Sequence, residues 1–234
     1  MDVERVRQPV ADGAWEDVGQ IAAGIANELR TPLFGISSAA QLLRFRSQQD
    51  PVVERNVGRI LREVERLNAM VAGLLEYGRP RPLSFAPRDP DTLWDEVLDG
   101  NRGLLERGSL TLRRARSVVP VRCAVDAERI AQLFVNLLTN AVEAAPTGSE
   151  ITLTTSATAD AGWQCVLHND GPAIPPDALP RVFDIFFSTR PGRTGIGLAL
   201  CRRIVDEHGG RIALDSSATE GTRVTVMLPG AAKH

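Results

Sequence analysis

The stretch QLFVNLLTNAVEAA, residues 132–145, sets Asn136 and Asn140 four residues apart within an apolar helical pattern. Ile130, Phe134, Leu137 and Ala141 recur at spacings of three and four, which predicts a helix over 126–145 with this stripe facing a core. A separation of four brings both carboxamides to one side of that helix. Asparagine is a mediocre helix former because its side chain competes for the backbone, so two at this spacing want an explanation. A hard cation such as Mg²⁺ takes oxygen ligands, and carboxamide oxygens serve. The plain alternative is a pair of solvated side chains on a helix face, and the helix taken alone favours it.

Downstream residues change that balance. HNDGPAIP, residues 168–175, follows a strand-like run and combines polar acceptors with turn formers. Asn169 or Asp170 offers an acceptor for an exocyclic base amine. STRPGRTGIGLAL, residues 188–200, is a short loop-like stretch that turns into a helix. Gly195 and Gly197 permit close backbone approach to phosphates at a helix N-terminus, and Arg190 and Arg193 supply charge. A single Gly-x-Gly is weak evidence. Helical asparagines, a polar Gly-Pro turn and a Gly-containing lid in this order form a far more specific set.

Around these motifs, β-type stretches are expected at 109–114, 121–125, 150–156, 163–169, 211–216 and 222–228, with helices at 91–106, 126–145 and 196–208. This is an α/β sandwich or α+β layer. The residues before it read differently. Val18, Ala22, Ile25, Leu29, Leu33, Ile36, Ala40 and Leu43 form one helical stripe over 15–46, with Pro32 expected to bend the axis. After Ser47-Gln48-Gln49-Asp50-Pro51, Val57, Ile60, Val64, Leu67, Val71 and Leu74 hold a heptad spacing. A lone hairpin cannot cover such stripes, so a homodimeric four-helix bundle is expected. The expected organisation is a tail at 1–12, a helical hairpin at 13–80, a Pro-rich linker at 81–90 and the α/β domain at 91–230.

In this order the motifs resemble the catalytic core of a bacterial two-component sensor histidine kinase, from residue 13 to 230. The hairpin resembles the dimerisation and histidine-phosphotransfer domain. The rest resembles the ATP-binding domain of the histidine kinase, gyrase and MutL type. The resemblance implies ATP and Mg²⁺ as ligands, with Asn136 and Asn140 as the N box and Asn140 the direct metal ligand. It adds Glu143 on the same helix, and it makes Asn169, Asp170, Gly171 and Ile174 the G1 box that grips adenine. Phe183 and Phe187 lie in the F box, RVFDIFF. Arg193, Thr194, Gly195, Ile196 and Gly197 form the G2 box with Leu198 beside it in the nucleotide site, and Thr222 contacts the adenine side. It also implies a response-regulator receiver domain as partner.

Four positions depart from the pattern. Asn169 stands where the family has an adenine-contacting Asp, and its oxygen is expected still to accept the adenine amine. Ala173 and Arg193 stand where glycines are usual. Above all, the family's phosphoacceptor frame HELRTPL reads NELRTPL here, residues 27–33. A carboxamide nitrogen has its lone pair delocalised into the carbonyl and is not nucleophilic, unlike neutral imidazole. His168, His208 and His234 all lie outside the hairpin. Autophosphorylation should therefore be dead. Glu28 is retained as the implied general base, and Thr31 as the residue implied to orient a water against phospho-aspartate, which would let phosphatase activity survive; a helix Thr preceding a proline is the equally weighted alternative. An acceptor substitution in an intact site fits better than decay, which would erode Glu28 or the N box too. A naturally degenerate ATP-binding and regulator-docking module is the alternative.

The composition agrees with such a chain. A net charge of −2 offers no strong field for nucleic acid. Cys123, Cys165 and Cys201 are widely spaced, as expected of reduced thiols. No apolar run approaches the ~18 residues of a membrane span, and MDVERVRQPVADG is too polar for a signal peptide. Cytoplasmic residence is expected, with a sensor domain or subunit lying outside this chain and membrane anchoring of the parent left open. Lys233 is the only lysine, so any cation gripping phosphate must be Arg or protonated His.

Overall fold

The computed structural model describes residues 29–45, 50–78, 82–190 and 193–231. They form two compact units. The first holds two helices together with Arg190–Ile196; the second holds the remainder.

In the first unit, residues 29–45 form α1 and Pro51–Gly78 form α2. Asp50 begins α2: its Oδ1 accepts the N–H of Val52 at 2.8 Å and of Val53 at 3.4 Å. Pro51 fits the first helical turn, where its missing N–H costs nothing. Leu33, Val64 and Val71 form a buried cluster, with Leu75 packed against it. Ala40 and Val57 are buried too, whereas Leu29, Ile36, Leu43, Ile60 and Leu67 are exposed. Each predicted stripe thus divides between an inner set and an outer set that the chain leaves uncovered. Val18, Ala22, Ile25, Asn27 and Glu28 lie outside the described residues.

The second unit opens with β1 (Ala86–Arg88), a short strand inside the Pro-rich stretch where the sequence suggested none. Then follow α3 (Pro90–Gly100), α4 (Arg102–Arg107), β2 (Thr111–Ala115), β3 (Cys123–Val125), α5 (Ala127–Ala144), β4 (Glu150–Ala157) and β5 (Trp163–Asn169). A 3₁₀ turn at Leu179–Arg181, α6 (Gly197–Glu207), β6 (Arg211–Ser217) and β7 (Gly221–Leu228) complete it. The single helix expected over 91–106 is two, broken at Asn101. There Asn101 Nδ2 donates to the Val97 carbonyl at 2.8 Å and ends the first helix.

Five strands form one sheet in the order β2-β4-β5-β7-β6, parallel only between β2 and β4. β1 and β3 pair separately and antiparallel. Along β5, Trp163, Cys165, Leu167 and Asn169 alternate onto the buried face. α5 packs against β5 and lies beside α3 and α6. Trp94 of α3 stacks on Phe134 of α5 with centroids 4.1 Å apart and 10° between planes, and Phe134 meets Trp163 at 5.8 Å. All three rings are fully buried and dominate the layer between helices and sheet.

Candidate nucleotide site

Asp126 starts α5 by accepting the N–H groups of Glu128 and Arg129 on its side chain. The helix then runs long enough to carry Asn136, Asn140 and Glu143 along one face, with Glu143 exposed in the last turn. The two carboxamides converge on the first residue of α6. A side chain added at Gly197 would stand 3.7 Å from Asn140 Nδ2, 3.8 Å from Asn136 Oδ1 and 3.9 Å from Asn140 Oδ1. Asn140 Nδ2 is buried and has no hydrogen-bond partner among the described residues. A buried amide without a partner is costly. The N-terminus of a helix adds unsatisfied N–H groups that favour an anion. These features fit a nucleotide phosphate and its cation. The side-chain oxygens brought to Gly197 are those of the Asn136 and Asn140 carboxamides, and a hard cation takes such ligands.

α5 and α6 are also tied by charge. Buried Arg129 pairs with Glu207 at 3.0 Å, and Arg203 Nε donates to the same carboxylate at 2.8 Å. Sharing one carboxylate between two buried guanidiniums fixes the helices in register and leaves no lone anion in the interior.

The residues expected to face the base meet where β5 ends and β7 begins. The antiparallel register sets Asn169 opposite Thr222, both buried. Asn169 Oδ1 accepts the N–H of Gly171 at 3.0 Å, closing a turn that asparagine forms readily. Thr222 Oγ1 lies 2.8 Å from Ser216 Oγ, and Ser216 Oγ accepts the N–H of Ile174 at 3.0 Å. Ser216 therefore ties the turn to the sheet. Nothing in its sequence context marked it; the β6–β7 register opposite Thr222 does. At Gly171 an added side chain would stand 2.6 Å from the Ala144 carbonyl oxygen and 2.7 Å from Asn169 Oδ1. The turn is thus pressed against the end of the helix that bears the asparagine pair.

The remaining predicted residues are more dispersed. Asp170 is exposed, its Oδ1 3.7 Å from His168 Nε2. Phe183 and Phe187 are half-buried, with the Arg202 guanidinium 5.6 Å above the first ring and that of Arg181 4.4 Å above the second. Leu198 is half-buried in the first turn of α6. Arg190, Arg193, Thr194, Gly195 and Ile196 group with the hairpin unit, and Gly195 takes a φ of 68° that favours glycine. Thr31 is exposed on α1. The three cysteines are buried, and burial raises the Cys123 and Cys165 thiols to about 12 and Cys201 further. Burial thus keeps them as thiols and disfavours the reactive thiolate.

Comparison with known proteins agrees with both units. Residues 125–232 match the family described as histidine kinase-, DNA gyrase B-, and HSP90-like ATPase, and residues 17–82 match the His Kinase A (phospho-acceptor) domain. The signal transduction histidine-protein kinase AtoS of Escherichia coli (strain K12) is 30% identical over 214 residues, covering 91% of this chain and 35% of its own length. The sensor histidine kinase ZraS of Escherichia coli O157:H7 is 31% identical over 212 residues, covering 91% and 46%. The solved structure of histidine kinase ThkA in complex with response regulator protein TrrA aligns with a TM-score of 0.69 at 26% identity, covering 92% of this chain and 62% of that one. The chain spans about a third to a half of the length of the curated relatives it matches. No helix among the described residues is long and apolar enough to cross a membrane. A phospho-acceptor domain followed by an ATP-binding domain, over most of its length, means that the chain belongs to the sensor histidine kinase family and forms its catalytic core.

Proposed function

We propose that the chain works in two-component signalling as a homodimeric kinase core that binds ATP with Mg²⁺, docks a response-regulator receiver domain and cannot phosphorylate itself. The observation that carries the nucleotide half is the convergence of Asn136 and Asn140 on Gly197 at the start of α6. The carboxamide oxygens would hold Mg²⁺, the helix N-terminus the phosphates, and Asn169, Gly171, Ile174, Ser216 and Thr222 the base. The nucleotide supplies the phosphoryl group when bound. The dimer is supported by the uncovered outer stripe of α1 and α2.

The acceptor half rests on residue chemistry. Asn27 has no nucleophilic lone pair, so label from ATP should not reach the hairpin. Glu28 would act as general base for a histidine at that position. Thr31, exposed on α1, is free to face a docked receiver and orient a water against its phospho-aspartate. Phosphatase activity would therefore outlast the loss of kinase activity. We place the chain in the cytoplasm, with its sensor elsewhere in the parent protein or on a partner.

The decisive experiment is incubation with γ-labelled ATP of the chain beside Asn27→His. The expected result is no label on the parent and acid-labile label on Asn27→His, passing to a receiver-domain aspartate. Glu28→Gln in that background should slow labelling by about 10²–10⁴-fold and leave ATP binding unchanged. Asn27 itself favours a second reading, a naturally degenerate binding and docking module. Tight Mg-ATP binding by Asn27→His with no label over hours would establish that module instead.

A further inference from the structure

We infer that Ser216 is a positioning residue of the base subsite, whose hydroxyl holds the stretch after β5 and the start of β7 ready for a nucleotide by acting through Ile174 and Thr222. The inference rests on the nucleotide-site reading above.

The inner face of the sheet changes character at one end. Successive cross-strand rows on β5, β7 and β6 read Cys165–Val226–Ile212, Leu167–Val224–Leu214 and Asn169–Thr222–Ser216. Two rows are apolar and the third is polar, although Asn169 is only 4% exposed and Thr222 only 8%. Polar side chains on such a face need partners. They find them in each other and in the stretch after β5. Asn169 Oδ1 accepts the N–H of Gly171 at 3.0 Å, and Ser216 Oγ accepts the N–H of Ile174 at 3.0 Å while lying 2.8 Å from Thr222 Oγ1.

Residues 170–175 belong to no helix or strand, so no regular backbone ladder holds them. Pro172, Pro175 and Pro176 carry no N–H, which leaves this stretch few donors by which to be anchored. The polar row takes two of them. Asn169 closes a local turn, two residues from Gly171, whereas Ser216 ties Ile174 to a strand 42 residues away. A hydroxyl has one proton and two lone pairs, so Ser216 serves Ile174 and Thr222 together, whichever of the two hydroxyls donates to the other. Alanine at 216 would release both. The loosened stretch would then have to be ordered when a ligand binds. That cost falls on recognition of the base, not on the phosphates expected at the start of α6.

ATP and inorganic tripolyphosphate, which lacks the base and the ribose, separate the two. Each is titrated calorimetrically with Mg²⁺ into the full chain, Ser216→Ala and Ser216→Thr. The expected result is ATP binding weakened roughly 5- to 50-fold in Ser216→Ala, tripolyphosphate binding unchanged, and ATP affinity recovered in Ser216→Thr, which keeps a hydroxyl. Unchanged ATP affinity in Ser216→Ala, or equal weakening of both ligands, would overturn the inference and leave the nucleotide site standing. Binding of neither ligand to the parent would overturn both. Hydrogen exchange on the parent needs no variant that might misfold. Mg-ATP should slow exchange of the Ile174 amide, and Mg-tripolyphosphate should leave it as in the free chain; the same rate with both ligands would overturn the inference.

Discussion

His208 Nε2 accepts the backbone N–H of Asp126 at 3.0 Å, joining the C-terminal end of α6 to the N-cap of α5. The same ring donates Nδ1–H to the Ile204 carbonyl at 2.7 Å, so the bonds fix a neutral tautomer. Asp126 Oδ2 accepts the N–H of Ser84 at 2.8 Å, and Phe85 meets the imidazole edge-on at 5.2 Å. Burial lowers the His208 pKa below the usual 6.5, outweighing the Ile204 hydrogen bond and the charges of Glu207 and Asp126, which raise it; Arg129 lowers it further.

The unfolded chain therefore takes up a proton near pH 6.5 that the folded chain refuses. The contribution of His208 to stability is fully present above pH 6.5 and falls as pH drops below it. Melting temperatures should decline between pH 7 and 5 more steeply in the parent than in His208→Gln. Parallel declines would show that the imidazole stays out of the linkage.

Leu67 and Val64 occupy the same helix with opposite fates. Leu67 is 44% exposed and Val64 only 4%. Leu67→Asp should leave the hairpin folded and convert dimer to monomer in light scattering, with helical circular dichroism retained. Val64→Asp should place an unpaired charge beside Leu33 and Val71, costing several kcal/mol and much of the helical signal. Equal effects from both would contradict the division of the stripes.

Phe134 lies between Trp94 and Trp163 in the core of the second unit. Phe134→Ala removes both ring contacts at a site walled by rigid indoles. It should cost about 3–5 kcal/mol in urea unfolding monitored by tryptophan fluorescence. A cost near that of a surface change, ~0.5 kcal/mol, would mean the core had collapsed around the gap.

Asn140→Asp is the sharper probe of the metal half. It exchanges a neutral carboxamide for a charge beside Asn136 and Gly197 and changes the donor set presented to the cation. ATP affinity with Mg²⁺ should fall by about tenfold, equivalent to ~1.4 kcal/mol. ATP affinity without Mg²⁺ should fall too, because the new carboxylate repels phosphate. Unchanged affinity in both conditions would remove Asn140 from the site.

By itself the sequence determined what depends on local periodicity and residue chemistry. Helical spacing made the hairpin stripes and the core-facing side of α5 legible, and a separation of four put Asn136 and Asn140 on one face. The missing lone pair of Asn27 is likewise a property of one residue. Only the tertiary structure decided what depends on partners distant in the chain. The order β2-β4-β5-β7-β6 and the parallel β2–β4 pair are set by long-range packing that alternation along a strand does not encode. The register of α1 on α2 chose which apolar residues lie inside, burying Leu33 and Val64 and leaving Ile36 and Leu67 out. Ser216 lies beside Thr222 because β6 pairs with β7, and Asn169 Oδ1 accepts the Gly171 N–H because the turn after β5 closes on it. A carboxamide's two ends are equivalent in a sequence; a fixed backbone N–H makes them different.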